Sequence, residues 1–257
     1  MADVSPPGSS PLVLALDYDG TLATDGKVDE EVVRGLKRVI ASGRRLLLVT
    51  GRELEELKGV FEGLSLFTSV VAENGAVLYI PATESIRLLA EAPPASFLEA
   101  LRRRDVKPLS VGRVIVATWE PHQATVLEVI RESGLELEVI FNKGAVMILP
   151  TGVNKATGLR AALAELGMPE ERTVGVGDAE NDHSFLRLCG VGIAVANAIP
   201  SLKAQSDAVT TRPRGQGVIE VIERLLEDGL SGIRCRPRTL SGTDAVGGPS
   251  GELCSES

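Results

Sequence analysis

Aromatic side chains are scarce in this chain: one Trp, two Tyr and five Phe, 3% of 257 residues. Hydrophobic residues still reach 44%, so a core must be built from Leu, Val, Ile and Ala. With 24% charged residues, that content suits a globular protein of one large or two modest domains. Cysteine is rarer still: Cys189, Cys235 and Cys254 are odd in number and far apart. They offer neither a disulfide framework nor metal-thiolate spacing, and a reducing, cytoplasmic setting is expected. No apolar run approaches the roughly twenty residues that span a bilayer, so no membrane partner is expected. Met1–Pro11 lacks a basic start and an apolar core; it reads as a flexible leader rather than a signal peptide. Excess positive charge is also missing. A net charge of −8 argues against a nucleic-acid partner. It does not exclude a small phosphorylated substrate, because one local Lys or Arg can outweigh the global balance. No fixed-period repeat stands out.

What is present is concentrated first in Leu12–Leu22. Five apolar residues, Leu12 to Leu16, precede Asp17, Asp19 and a Gly20-Thr21 break. A continuous apolar run ended by a Gly turn suits the central strand of a parallel sheet. Side chains two apart on a strand point the same way, so Asp17 and Asp19 are expected to emerge together at its carboxyl end. Open α/β sheets bind ligands there. Converging carboxylates need a neutralising cation or a shared proton. Phosphoryl chemistry uses both remedies: a hard cation such as Mg²⁺, and an acid beside a nucleophile. An acidic surface turn is the competing reading. Tyr18, facing the other way, is expected only to pack.

Down the chain, strands and helices alternate. Asp29-Glu-Glu opens a helix whose apolar face is Val32, Val33, Leu36, Val39 and Ile40, with Asp29 a candidate cap. Arg45–Val49 is a second buried strand ending in Thr50-Gly51-Arg52. Ser69–Ala72 is a third, ending in Glu73-Asn74-Gly75. After Val77 the pattern changes to hairpin strands and two helices, through the Asn142-Lys143-Gly144 turn. From Lys155 it returns to helices and buried strands, with Gly177-Asp-Ala-Glu-Asn-Asp182 at one strand end. The expected fold class is α/β, a doubly wound, Rossmann-like parallel-sheet core with an inserted small α+β cap domain. Residues 12–80 and 151–228 form the expected core, 81–150 the cap, and 229–257 a disordered tail.

Four polar strand ends in this order resemble the haloacid dehalogenase superfamily of phosphotransferases. Asp17-Tyr-Asp-Gly-Thr21 matches its first motif and Thr50 its second. Lys155 matches the third, and Gly177-Asp-x-x-Asn-Asp182 the fourth. The insertion between the second and third motifs is similar to the Cof-type branch with a class IIB cap. The cap's compactness resembles archaeal-type phosphoglycolate phosphatases and sugar-phosphate phosphatases. The resemblance implies Asp17 as nucleophile and Asp19 as general acid and then base. It implies phosphate binding by Thr50, Gly51 and Lys155. Mg²⁺ would be held by Asp17, Asp19 through its backbone carbonyl, Asp178 and, directly or through water, Asp182. Arg52, Asn74 and Asn181 become candidates for lining or orienting the site. Ordinary readings compete: Thr50 as a helix N-cap, Lys155 as a solvated first-turn lysine, Lys143 as a solvated turn residue. Lys143 or Arg113 is also a candidate to reach an anionic substrate.

The implied function is a Mg²⁺-dependent phosphatase of a small metabolite, phosphoglycolate or a sugar phosphate, acting as a monomer or homodimer. A phosphomutase of the same cap class and a non-catalytic phosphate-binding module are the alternatives.

Overall fold

The computed structural model of the chain describes residues 12–233. The leader and residues 234–257 of the expected tail lie outside them. In order, the elements are β1 (Val13–Leu16), α1 (Glu30–Ala41), β2 (Arg45–Val49), α2 (Leu54–Val60), β3 (Ser69–Ala72), β4 (Val77–Ile80) and β5 (Ser85–Leu88). There follow α3 (Ala95–Arg103), β6 (Ser110–Val111), β7 (Val116–Trp119), α4 (Gln123–Ser133), β8 (Leu137–Asn142) and β9 (Ala145–Pro150). The chain then forms α5 (Lys155–Leu166), β10 (Thr173–Gly177), α6 (His183–Leu188), β11 (Val191–Ala194), α7 (Pro200–Gln205), β12 (Ala208–Val209) and α8 (Arg214–Glu227).

The large sheet runs β12-β11-β10-β1-β2-β3-β4-β5. Its strands from β12 to β3 pair in parallel, and β4 and β5 add an antiparallel edge. The mixed α/β class follows from this. Alternation along β1 decides which face each side chain serves. Leu14 and Leu16 join Val32 and Leu36 of α1 and Val218 and Ile222 of α8. Val13 and Ala15 join Leu159 and Leu163 of α5 and Phe185 of α6. Each such buried Val, Leu, Ile or Phe contributes about 1.5–3 kcal/mol. The same alternation sends Tyr18 to the α1 side, where it is fully buried, and Asp17 to the α5 side.

The smaller sheet, β6-β7-β9-β8, is antiparallel. Phe97, Leu101, Val126 and Val129 of α3 and α4 cover one face of it. From its other face Met147 and Leu149 join the main core.

Several local expectations are corrected. Asp29 stands at the N-cap of α1, but its side chain makes no capping bond. Ser85–Leu88, read as part of the insertion, pairs with β4 and extends the large sheet instead. Hairpin connection explains this: a short turn returns the chain antiparallel to the strand just completed. The described part of the expected tail is not loose either, since Leu230 is 4% exposed and packs in the core beyond α8.

Candidate active site

Asp17 follows β1 directly, and its amide donates to the Val176 carbonyl at 3.0 Å. The parallel ladder between β1 and β10 thus carries the first acidic residue to the second acidic loop. Asn154 fixes the start of α5 by accepting from the amides of Ala156 and Thr157, a reciprocal cap with Thr157. That cap sets Lys155 as the first helical residue. Its side chain is not solvated: it is 1% exposed, and Nζ donates to Asp17 Oδ1 at 2.5 Å and Asp182 Oδ1 at 2.6 Å.

The acidic loop is built around its own last residue. Asp182 Oδ2 accepts from the amides of Asp178 (2.7 Å) and Ala179 (2.9 Å). Asp182 therefore orders the loop while its other oxygen faces Lys155. Asp178 receives a weaker contact from Thr21 Oγ1 at 3.4 Å, and contacts from Asn197 Nδ2 at 3.2 Å and Lys143 Nζ at 2.8 Å. Gly20, with φ +86°, lies against it; an added Cβ would stand 2.3 Å from Asp178 Oδ2, so only glycine fits.

Carboxylate oxygens of Asp17, Asp178 and Asp182 lie within 4.8 Å of one another. Three buried acids so close need positive charge. Burial, helped by Asp182 and Asp178, pushes the Asp17 carboxyl up to about 7 although Lys155 pulls it down. Burial also raises Asp178, and Lys143 opposes the rise. For Lys155, burial works against the ammonium, but Asp17 and Asp182 outweigh it and hold it above its ordinary value.

Asp19 departs from the expected pairing. Its carboxylate turns to the mouth, where Arg52 Nε and Nη2 hold it at 2.6 and 2.7 Å. The Arg52 guanidinium lies 5.4 Å from the centre of the Tyr18 ring, so Tyr18 also supports Arg52. Only the Asp19 carbonyl faces the acidic cluster, where it accepts from Lys143 Nζ at 3.2 Å. Thr50 is buried and shares the cavity lining with Asp17; its Oγ1 accepts from the Arg52 amide at 3.1 Å. It does not cap α2, which begins at Leu54 behind Glu53. Asn74, in a left-handed conformation (φ +56°), accepts from Asn181 Nδ2 at 2.9 Å. Asn181 Oδ1 and Asn74 Nδ2 are buried without a partner.

These residues open on a cavity of about 190 Å³. Asp17, Thr50, Gly51, Lys155 and Asn181 line its floor, and Asp19 and Arg52 its mouth; Trp119, Asn142 and Met147 of the small sheet line its roof. Asn74, Asp178 and Asp182 stand behind the floor rather than in the lining. Arg113 pairs with Glu55, His183 with Gln205 and Ser201, and His122 with Lys107, so none of these three enters the site.

Sequence reasoning did not single out Asn197, and it gave Thr21 and Glu73 no role of their own. Asn197 closes a loop beyond β11, a strand end like the four that drew attention. Glu73, 1% exposed, accepts from the amides of Arg113, Val114 and Ile115 and ties the approach to β7 onto the core. Nothing in its sequence neighbourhood signals a partner 40 residues away. Lys143, expected as a solvated turn residue or a reach toward an anionic substrate, instead sits on Asp178.

The donors suit a hard divalent ion: all are oxygens, and two already accept from an ammonium. Asp17, Asp178 and the Asp19 carbonyl are the donors that would hold it, the last two once Lys143 gives way. Asp182, whose oxygens are taken by Lys155 and two amides, fits an indirect part.

Comparison with known proteins agrees with this architecture. The model of a family described as haloacid dehalogenase-like hydrolase matches residues 14–120 and 131–222. Phosphoglycolate phosphatase 2 of Saccharolobus solfataricus is 30% identical over 224 residues, 85% of this chain and 94% of the relative. The phosphoglycolate phosphatase of Methanothermobacter thermautotrophicus is 31% identical over 222 residues, 83% of this chain and 98% of the relative. Among solved structures, a haloacid dehalogenase-like hydrolase from Bacteroides thetaiotaomicron superposes with a TM-score of 0.72 at 21% identity, over 83% and 98% of the two chains. A subclass IIB sugar phosphatase of the same superfamily gives 0.68 at 20%, also over 83% and 98%. The two structural likenesses bear on the fold; the family match and the relatives bear on descent. This chain belongs to the haloacid dehalogenase-like hydrolases, among the phosphatases of that superfamily.

Proposed function

We propose that the chain is a Mg²⁺-dependent phosphatase of a small phosphorylated metabolite, phosphoglycolate or a sugar phosphate, working through an aspartyl phosphate on Asp17. The observation that carries this reading is Lys155, buried between Asp17 and Asp182 at the end of β1. An ammonium fixed there can donate to the oxygens of a transferring phosphoryl group and offset their charge. The similarity to phosphoglycolate phosphatases supports phosphoglycolate, and a cavity of about 190 Å³ supports a small leaving group.

Asp17 forms a bond to phosphorus as the bond to the leaving oxygen breaks. Asp19 gives that oxygen a proton. Water then attacks phosphorus, Asp19 takes its proton, the bond to Asp17 breaks and inorganic phosphate leaves. Thr50, the Gly51 backbone and Lys155 hold the phosphoryl oxygens, while Arg52 fixes Asp19 at the mouth. Asp17, Asp178 and the Asp19 carbonyl would hold the metal, which when bound would supply charge neutralisation and polarise the phosphoryl group. Trp119, Asn142 and Met147 bound the space for the leaving group. No helix among the described residues is long and apolar enough to cross a membrane.

The test is hydrolysis of 4-nitrophenyl phosphate and of a panel holding phosphoglycolate and hexose phosphates, with Mg²⁺ and with chelator. Free phosphate released only with Mg²⁺ is expected. An isomerised sugar phosphate would favour the mutase, and no turnover of any member would favour a binding module.

A further inference from the structure

Lys143 reaches the catalytic cluster from the other sheet. It and Gly144 are the central residues of the β8–β9 turn, with φ +50° and +85°, the two-residue geometry that matches strand twist. From this tip Nζ donates to Asp178 Oδ2 at 2.8 Å and to the Asp19 carbonyl at 3.2 Å. Those are two of the oxygens assigned above to a divalent ion. Asp17, Asp178 and Asp182 facing Lys155 alone leave two negative charges in surplus, and Lys143 offsets one of them. Its side chain is 45% exposed, so the ammonium has a path to solvent that leaves the hairpin intact.

We propose that Lys143 and a divalent cation are alternative occupants of the Asp19 carbonyl and the Asp178 carboxylate, so that loading the metal unlatches the hairpin tip from the core. This rests on the metal reading of the proposed function. An ammonium with a single charge satisfies this site in part; a divalent ion offsets the whole surplus and displaces it. The roof of the cavity, built on the same hairpin, is then tied to the floor by Lys143 only until metal binds. Release also frees a cation at the leaving-group end, beside Trp119 and Asn142.

The chain has a single tryptophan, Trp119, on the strand beside this hairpin; a Cβ on Gly144 would lie 3.9 Å from its ring. Its emission therefore reports on the tip. The experiment is calorimetric titration of Mg²⁺ into metal-free wild type, Lys143→Gly and Lys143→Arg, with Trp119 emission followed in parallel. Glycine removes the ammonium and accepts the positive φ. Lys143→Gly is expected to bind Mg²⁺ about two- to five-fold more tightly than wild type, the factor for a half-exposed ion pair. Lys143→Arg is expected to stay near wild type. Mg²⁺ should shift Trp119 emission in wild type and leave it nearly unmoved in Lys143→Gly. Equal or weaker binding by Lys143→Gly overturns the proposal alone. Absence of Mg²⁺ binding in all three proteins overturns it together with the metal reading.

Discussion

Lys155 Nζ stands 2.5 Å from Asp17 Oδ1, although 138 residues separate them in sequence. Apolar packing of α5 on β1 through Val13, Ala15, Leu159 and Leu163 brings the helix start to the strand end, and this contact joins their polar tips. Removing Lys155 leaves Asp17 and Asp182 buried without their cation.

Lys155→Ala is accordingly expected to cost about 3–5 kcal/mol, the range for breaking a buried pair. Urea unfolding in the absence of divalent ions measures it. A loss below about 1 kcal/mol would mean that the ammonium does not hold the acids together. Lys155→Met, which keeps the apolar stem, should lose less by packing but equally in activity.

Asp17 makes the metal-free protein sensitive to pH. Its carboxyl is raised from an ordinary 3.8 to about 7 by burial and by Asp182. The native state then binds more protons than the unfolded chain between those values. Its contribution to stability is present below pH 4 and is lost as pH rises towards 7. Denaturant midpoints of wild type should fall across that window relative to Asp17→Asn, which cannot titrate there. Because a bound cation favours the ionised acid, Mg²⁺ affinity should rise over the same window. Calorimetry at pH 5.5 and pH 8 checks the sign.

Arg52 holds Asp19 by two contacts at the cavity mouth. The Asp19 side chain is 42% exposed and solvent screens the pair, so it adds little to stability. It does fix the position from which a proton is delivered. Arg52→Ala is expected to lower kcat about 10- to 100-fold, the scale of a misplaced catalytic group. Its melting temperature should barely move. Unchanged kcat would show that Asp19 finds its position without the guanidinium.

The fold's outline was legible because apolar runs and their polar endings follow from backbone periodicity. β1, β2, β3 and β10, with Asp17, Thr50 and Asp178 just beyond them, are local patterns of that kind. The Lys155 position was legible for a physical reason too: a cation at a helix start opposes the macrodipole and needs another cause. Residues recruited by tertiary contact were not legible. Glu73 reaches the amides of 113–115, Asn197 reaches Gly20 and Asp178, and Lys143 crosses from the second sheet. Asp19 shows the limit of strand alternation. The turn at Gly20 ends the strand geometry, and Arg52 then takes the carboxylate outward.

Trapping the covalent intermediate tests the central claim most directly. Protein mixed with a phosphorylated substrate and Mg²⁺, quenched in acid and digested, should carry its phosphoryl group on the peptide containing Asp17. Asp17→Asn should carry none and lose at least about 10³-fold in turnover. Phosphoryl found on another residue, or full turnover by Asp17→Asn, would contradict the assignment of Asp17 as the attacking group.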